Sequence, residues 1–201
     1  MTKIAKLLRD FHEDDAGNMS VELLLVVPML VWALLSTLVY FDVFRAESIS
    51  TRAGLTIADM ISREQTPIGW EYLVGIRNVL RVLTSSDSDP DFRATVYEYR
   101  ASTDKYMVVW SRHRGMGSKL TNTDLEGLRD RLPLMANGDK AILVETRIQY
   151  SAPFSIGMGP FTGTRLDDLE FQSFTVITPR FTSTICFDPS PADPSNGDEI
   201  C

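Results

Sequence analysis

Between Leu23 and Phe41 the chain runs for 19 residues without a charged side chain. As a helix, such a run is long enough to cross a hydrocarbon layer of about 30 Å. One carboxylate, Glu22, stands at its very edge. A carboxylate in or beside a membrane segment is costly to keep unpaired, which makes Glu22 a functional candidate whose partner must be named.

The flanks refine this. Lys3, Lys6 and Arg9 precede the run, and this basic start predicts a cytoplasmic N-terminus with residues 45–201 outside the cytoplasmic membrane. A cleaved secretory signal fits poorly, because its apolar stretch spans about 7–15 residues and ends in a small-x-small site. Here Tyr40-Phe41-Asp42-Val43-Phe44-Arg45 follows instead, and the segment 10–17 is strongly acidic. A single retained span over about 23–41 is the expectation.

Helical spacing then continues. Ile49, Ala53, Ile57, Met60 and Ile61 recur three or four apart with polar residues between them. Thr66-Pro67 is the natural stop, since the residue before proline disfavours the helical region. Unbroken from Ser20 to Glu64, this helix would be roughly 68 Å long at about 1.5 Å per residue. A second amphipathic helix is predicted from Trp70 to Leu83, followed by a loop over Ser85–Asp91. The period then shortens. Phe92–Arg100 and Lys105–Arg112 read as strands joined by a hairpin connection at Ala101–Asp104. Thr123, with Glu126 three residues on, predicts a capped short helix reaching about Leu132. Lys140–Tyr150 and Leu169–Pro179 read as two further strands. The expected fold is α+β, with an antiparallel sheet of four or five strands packed on helices. The expected divisions are a leader over 1–17, the long helix over 18–66, an extracytoplasmic domain over 67–187 and an irregular tail over 188–201.

The chain has two cysteines, Cys186 and Cys201, both in the part placed outside the cytoplasm, where an isolated pair usually bonds. Closing that loop is worth about 3 kcal/mol by the chain-entropy model.

Several other signals are weak. A net charge of −7 argues against nucleic acid, which selects basic surfaces. Gly115-Met116-Gly117-Ser118-Lys119 lacks the spacing of a phosphate loop. His12 and His113 are the two histidines, too few for a histidine metal cluster. The acidic tail (Asp188, Asp193, Asp198, Glu199) lacks the spacing of an EF-hand loop. No nucleophile elbow is visible. No metal, no cofactor and no enzymatic activity are expected. The apolar residues Phe154, Ile156 and Phe161 around Gly157-Met158-Gly159-Pro160 could form a loop that meets a neighbour.

The string Gly17-Asn18-Met19-Ser20-Val21-Glu22 resembles the type IV prepilin cleavage motif: glycine, four residues, glutamate, then an apolar helix. Together Phe11, Asp14-Asp15, Gly17, Val21-Glu22 and Pro28 resemble the opening of the TadE/TadF/TadG group of tight-adherence (Flp) pilus proteins. The resemblance covers about residues 9–45. The chain departs from the pattern in two places: Asn18 stands where phenylalanine or a small residue often follows the cut, and Leu23 where many pilins carry an aromatic residue.

The resemblance implies a minor pseudopilin, cut by a prepilin peptidase between Gly17 and Asn18. It would be held in the inner membrane by its lipid-embedded span, with its C-terminal domain periplasmic or extracellular. Its implied partners are other pilin-like subunits, the prepilin peptidase and the inner-membrane assembly platform. Glu22 would neutralise the new amine of Asn18 on a neighbouring subunit, and Pro28 would kink the span or let it straighten on assembly. The alternative reading is an uncleaved, signal-anchored envelope protein with a ligand- or partner-binding domain. A membrane-tethered hydrolase is a third.

Overall fold

The computed structural model describes residues 18–86, 88–150, 169–190 and 199–201. It divides into two units, Met1–Asp42 and Val43–Cys201. The predicted leader, the loop over 154–161 and most of the acidic tail lie outside the described residues.

Helix α1, Asn18–Ser62, begins and ends within two residues of the predicted limits and passes Pro28 without interruption. Within the first unit most of its apolar side chains are exposed, from Leu23, Leu24 and Leu25 to Leu38 and Phe41, while Val39 near the end of that unit is buried. The Thr37 hydroxyl donates to the Ala33 carbonyl at 2.8 Å, so its polarity is satisfied inside the helix. Within the second unit α1 becomes one-sided. Ala53, Ile57, Ala58 and Ile61 are buried, while Arg52, Leu55 and Thr56 face outward. Tighter bonds close its end, from the Arg63 N–H to the Met60 carbonyl at 3.2 Å and from the Glu64 N–H to the Ile61 carbonyl at 3.1 Å, just before Pro67.

Helix α2, Trp70–Thr84, buries Leu73, Ile76 and Leu80 and ends at Ser85 in the left-handed region (φ 49°). Strands β1, Asp91–Arg100, and β2, Lys105–Arg114, form the predicted hairpin. After the short helix α3, Asn122–Gly127, a 3-10 turn spans Arg129–Arg131. Strands β3, Lys140–Gln149, and β4, Glu170–Ile177, complete a four-stranded sheet in the order β2-β1-β3-β4, antiparallel throughout.

Successive strand residues point to opposite faces, and both faces of this sheet are covered. On one, Phe92, Ala94, Val96, Ile142, Val144 and Ile148 pack with Ile57 and Ile61 of α1 and with Leu73, Ile76 and Leu80 of α2. On the other, Tyr97, Tyr106, Ala141 and Leu143 pack with Leu120, Leu125 and Leu132 of the segment that carries α3. A β-bulge reconciles β2 with both cores. Val96 pairs with Trp110 but Tyr97 pairs with Val108, so Val109 is an inserted residue. The insertion transposes the faces. Tyr106 and Val108 serve the second core while Trp110 serves the first.

The helix cap was expected at Thr123 and is found at Thr121. The Asp124 N–H donates to Thr121 Oγ1 at 3.4 Å, and the Thr121 N–H donates to Asp124 Oδ2 at 2.8 Å. This reciprocal pair holds Asp124 well below its ordinary carboxyl value, chiefly through the hydrogen bonds from Thr121. The helix starts earlier because Asn122 Oδ1 accepts the Val108 N–H at 2.8 Å, which ties its first residue to the β2 backbone.

Gly54 fixes how closely α1 lies on the sheet. A Cβ there would collide with the Ser173 hydroxyl and come within 3.0 Å of Ser173 Cβ. Gly54→Val is therefore expected to lower the stability of the outer domain by about 1–3 kcal/mol through overpacking. Ser173→Gly in the same chain should recover part of the loss. Thermal melts of the full chain in neutral detergent test this: a Gly54→Val protein that melts with its parent would show that helix and sheet do not meet so closely.

Candidate functional site

Three of the sequence-predicted site residues lie on α1 in the first unit. Gly17 is outside the described residues; Asn18 is the first residue of the helix. Glu22 is exposed one turn later, about 6 Å along the axis. The first turn itself carries no acidic residue. Pro28 lies inside the helix and has no N–H to give the Leu24 carbonyl. In a lipid-facing helix such a carbonyl is tolerated when neighbouring groups or helices take it up. By length and composition α1 can cross a membrane. The arrangement sets one carboxylate, Glu22, at the start of the apolar run.

The other predicted pair lies in the second unit. Cys186 and Cys201 are joined by a disulfide, with Cα atoms 4.5 Å apart. Part of the tail expected to be irregular is anchored by backbone pairing. The Phe187 N–H donates to the Ile200 carbonyl and the Ile200 N–H to the Phe187 carbonyl, each at 2.9 Å. Phe187 also pairs with Ile68. Its ring is fully buried between Trp70, at 5.2 Å between centroids, and Trp110, at 5.6 Å. The Trp110 indole N–H donates to the Ile185 carbonyl at 2.7 Å, and the Arg112 guanidinium lies 4.4 Å from the Phe187 centroid. Burial pushes Arg112 below its ordinary value. Cys186, Cys201 and Glu199 bring three potential metal-ligand atoms within 4.8 Å of one another. With both sulfurs in the disulfide, neither is a thiolate, and Glu199 alone does not make a metal site.

A third site was not anticipated. An open cleft of about 280 Å³ lies over the second face of the sheet, lined by side chains of β1, β3 and β4 and by the segments 116–118 and Arg131. Its wall is a two-pronged ion pair. Arg93 Nε and Nη2 donate to the two oxygens of Glu145 at 2.6 and 2.8 Å, and both side chains are largely buried. Arg93 Nη1 also donates to the Ser118 carbonyl at 3.0 Å, which ties the 116–118 segment to the sheet. The Arg131 guanidinium lies 4.0 Å from the Phe174 ring centroid. Arg147 stands 3.6 Å from Glu170, beyond hydrogen-bonding distance. No spacing rule could have flagged Arg93, Arg131 and Arg147, because the pairing of Arg93 with Glu145 comes from β1–β3 register.

Compared with known protein families, curated proteins and solved structures, the chain matches none of them.

The anchored tail makes the disulfide testable. Cys186→Ser is expected to lower stability by about 3 kcal/mol, the loop-closure value for a separation of 15 residues. Non-reducing peptide mapping of the parent should find the Cys186–Cys201 crosslink. Two thiols that alkylate freely without reduction would contradict it.

Proposed function

We propose that this chain is a non-enzymatic, single-span membrane protein that works as a minor pseudopilin-like component of a tight-adherence pilus. One observation carries this: α1 is apolar on every side over its first half, with a lone carboxylate at the lip of that half and a glycine five residues before it. A helix apolar all round must be covered. Exposures of 65% for Leu23, 73% for Leu24 and 61% for Leu34 recur on every side of the helix between residues 23 and 35, far beyond the apolar patch of an ordinary soluble protein. Lipid is the cover that fits its length.

The carboxylate then acquires a role. Cleavage after Gly17 would leave an ammonium on Asn18, on the same face as Glu22 of its own chain and within reach of Glu22 on a neighbour. Either pairing relieves a cost of several kcal/mol for each lone charge in hydrocarbon. Pairing between neighbours also sets their axial register. In this reading the domain over Val43–Cys201 lies outside the cytoplasm, a location in which a disulfide such as Cys186–Cys201 persists. Its partners in this reading are other pilin-like subunits, the prepilin peptidase, the assembly platform and the surrounding lipid.

Co-expression with a prepilin peptidase should give a mature chain that starts at Asn18, and Gly17→Ala should abolish that product. N-terminal sequencing decides the point: a chain that still begins at Met1 beside active peptidase would sink the pseudopilin reading. Glu22→Ala and Glu22→Gln should both leave cleavage and membrane insertion intact but reduce crosslinking to partner subunits. If both variants crosslink and adhere like the parent, the carboxylate has no part in assembly.

A further inference from the structure

We propose that the cleft bounded by Arg93, Arg131, Arg147 and Phe174 is a binding site for a phosphoryl group, an activity separate from the pilus-like role. Charge comes first. The chain carries −7, yet the cleft and its rim hold three guanidinium groups (Arg93, Arg131, Arg147) against two carboxylates (Glu145, Glu170), a local balance of 3 − 2 = +1.

The three arginines are not equivalent. Arg93 spends three of its five donors inside the protein, two on Glu145 and one on the Ser118 carbonyl. It is a wall. Arg131 stacks on the Phe174 ring and has no ion-pair partner among the described residues. Stacking uses the flat face of a guanidinium and leaves its edge donors free. Arg147 Nε is occluded and has no hydrogen-bond partner, since Glu170 stops 3.6 Å away. That N–H is out of a ligand's reach, but the Arg147 side chain is 41% exposed and lines the cleft, so its terminal amino groups remain for a bound oxygen.

Two open forks on one cleft favour a tetrahedral oxyanion over a planar carboxylate. A carboxylate that meets one fork with both oxygens, as Glu145 does on Arg93, has only the remaining lone pairs of those same two oxygens for a second. A phosphoryl group presents three, enough to accept from both remaining guanidiniums at once. At about 280 Å³ the cleft is just under the usual range for drug-sized ligands, roughly 300–1,000 Å³. It therefore suits the charged group and a short part of its carrier. That carrier could be a lipid, as in a phosphoglycerol headgroup, or a soluble phosphate ester.

The test uses the full chain, labelled with ¹⁵N-arginine, in neutral detergent micelles, titrated with inorganic phosphate at constant ionic strength. The Arg131 and Arg147 side-chain signals should move saturably, while that of Arg100, exposed and paired with Glu98 at the far end of β1, should not. Arg131→Ala and Arg147→Ala should each weaken binding roughly tenfold or more, the worth of a charge-assisted bond. Arg100→Ala should bind like the parent. If Arg131→Ala fails to keep the parent's melting temperature, Arg131→Lys keeps a charge on the Phe174 ring without the fork, and it should weaken binding as well. Shifts that stay linear to the highest phosphate concentration, equal shifts at Arg100, or acetate binding as tightly as phosphate would overturn the proposal. Phosphate-free nanodiscs then separate the sources. The same shifts with phosphatidylglycerol but not phosphatidylcholine identify a headgroup; no shift with either, beside saturable phosphate binding in micelles, identifies a soluble ester.

Discussion

Helix α1 has to satisfy two surroundings along one continuous backbone. Over its first half every side is apolar; over its second, the apolar residues narrow to a stripe formed by Ala53, Ile57, Ala58 and Ile61. The narrowing matters because a helix can dock on a sheet only through a face that the sheet can cover. Gly54 then lets the backbone itself come down onto Ser173 and Thr146. Loss of that closeness would loosen the core formed with Val144, Ile148 and the aliphatic face of α2.

The sheet answers with two covered faces, an arrangement that a strictly alternating hairpin would not give. Without the extra residue at Val109, the indole of Trp110 would turn toward the α3 segment and the Ile185 carbonyl would lose its donor. With it, one strand supplies Tyr106 and Val108 to one core and Trp110 to the other. On the α3 side, the buried Thr95 and Ser111 hydroxyls share a hydrogen bond of 2.8 Å, and Ser111 Oγ accepts the Leu120 N–H at 2.9 Å. That link seats the connecting segment before α3 begins.

Local features of this fold were legible in the sequence. The three-and-four spacing of Ile49 to Ile61 and of Trp70 to Leu83 gave both helices, and the alternation around Phe92 and Tyr106 gave the hairpin. The cap was placed two residues late because Asn122 is held by the β2 backbone, a tertiary contact that no local pattern contains. The strand order escaped for the same reason: β1 lies between β2 and β3, so Arg93 meets Glu145 across more than fifty residues. The motif residues Asn18, Glu22 and Pro28 were legible because their relation is local to one helix. The arginine cleft was not, because it exists only after register is set.

The tail has a bearing on the order in which the protein can be made. Ile185 and Phe187 belong to the same core as Ile57 and Ile61 but leave the ribosome much later. At about 5–20 residues per second, the ~126 residues between Ile61 and Phe187 take roughly 6–25 s to synthesise. During that interval the apolar stripe of α1 has neither its complete sheet nor the Phe187 ring to rest on. Until then that stripe is exposed apolar surface, the kind that makes a half-made chain prone to aggregate.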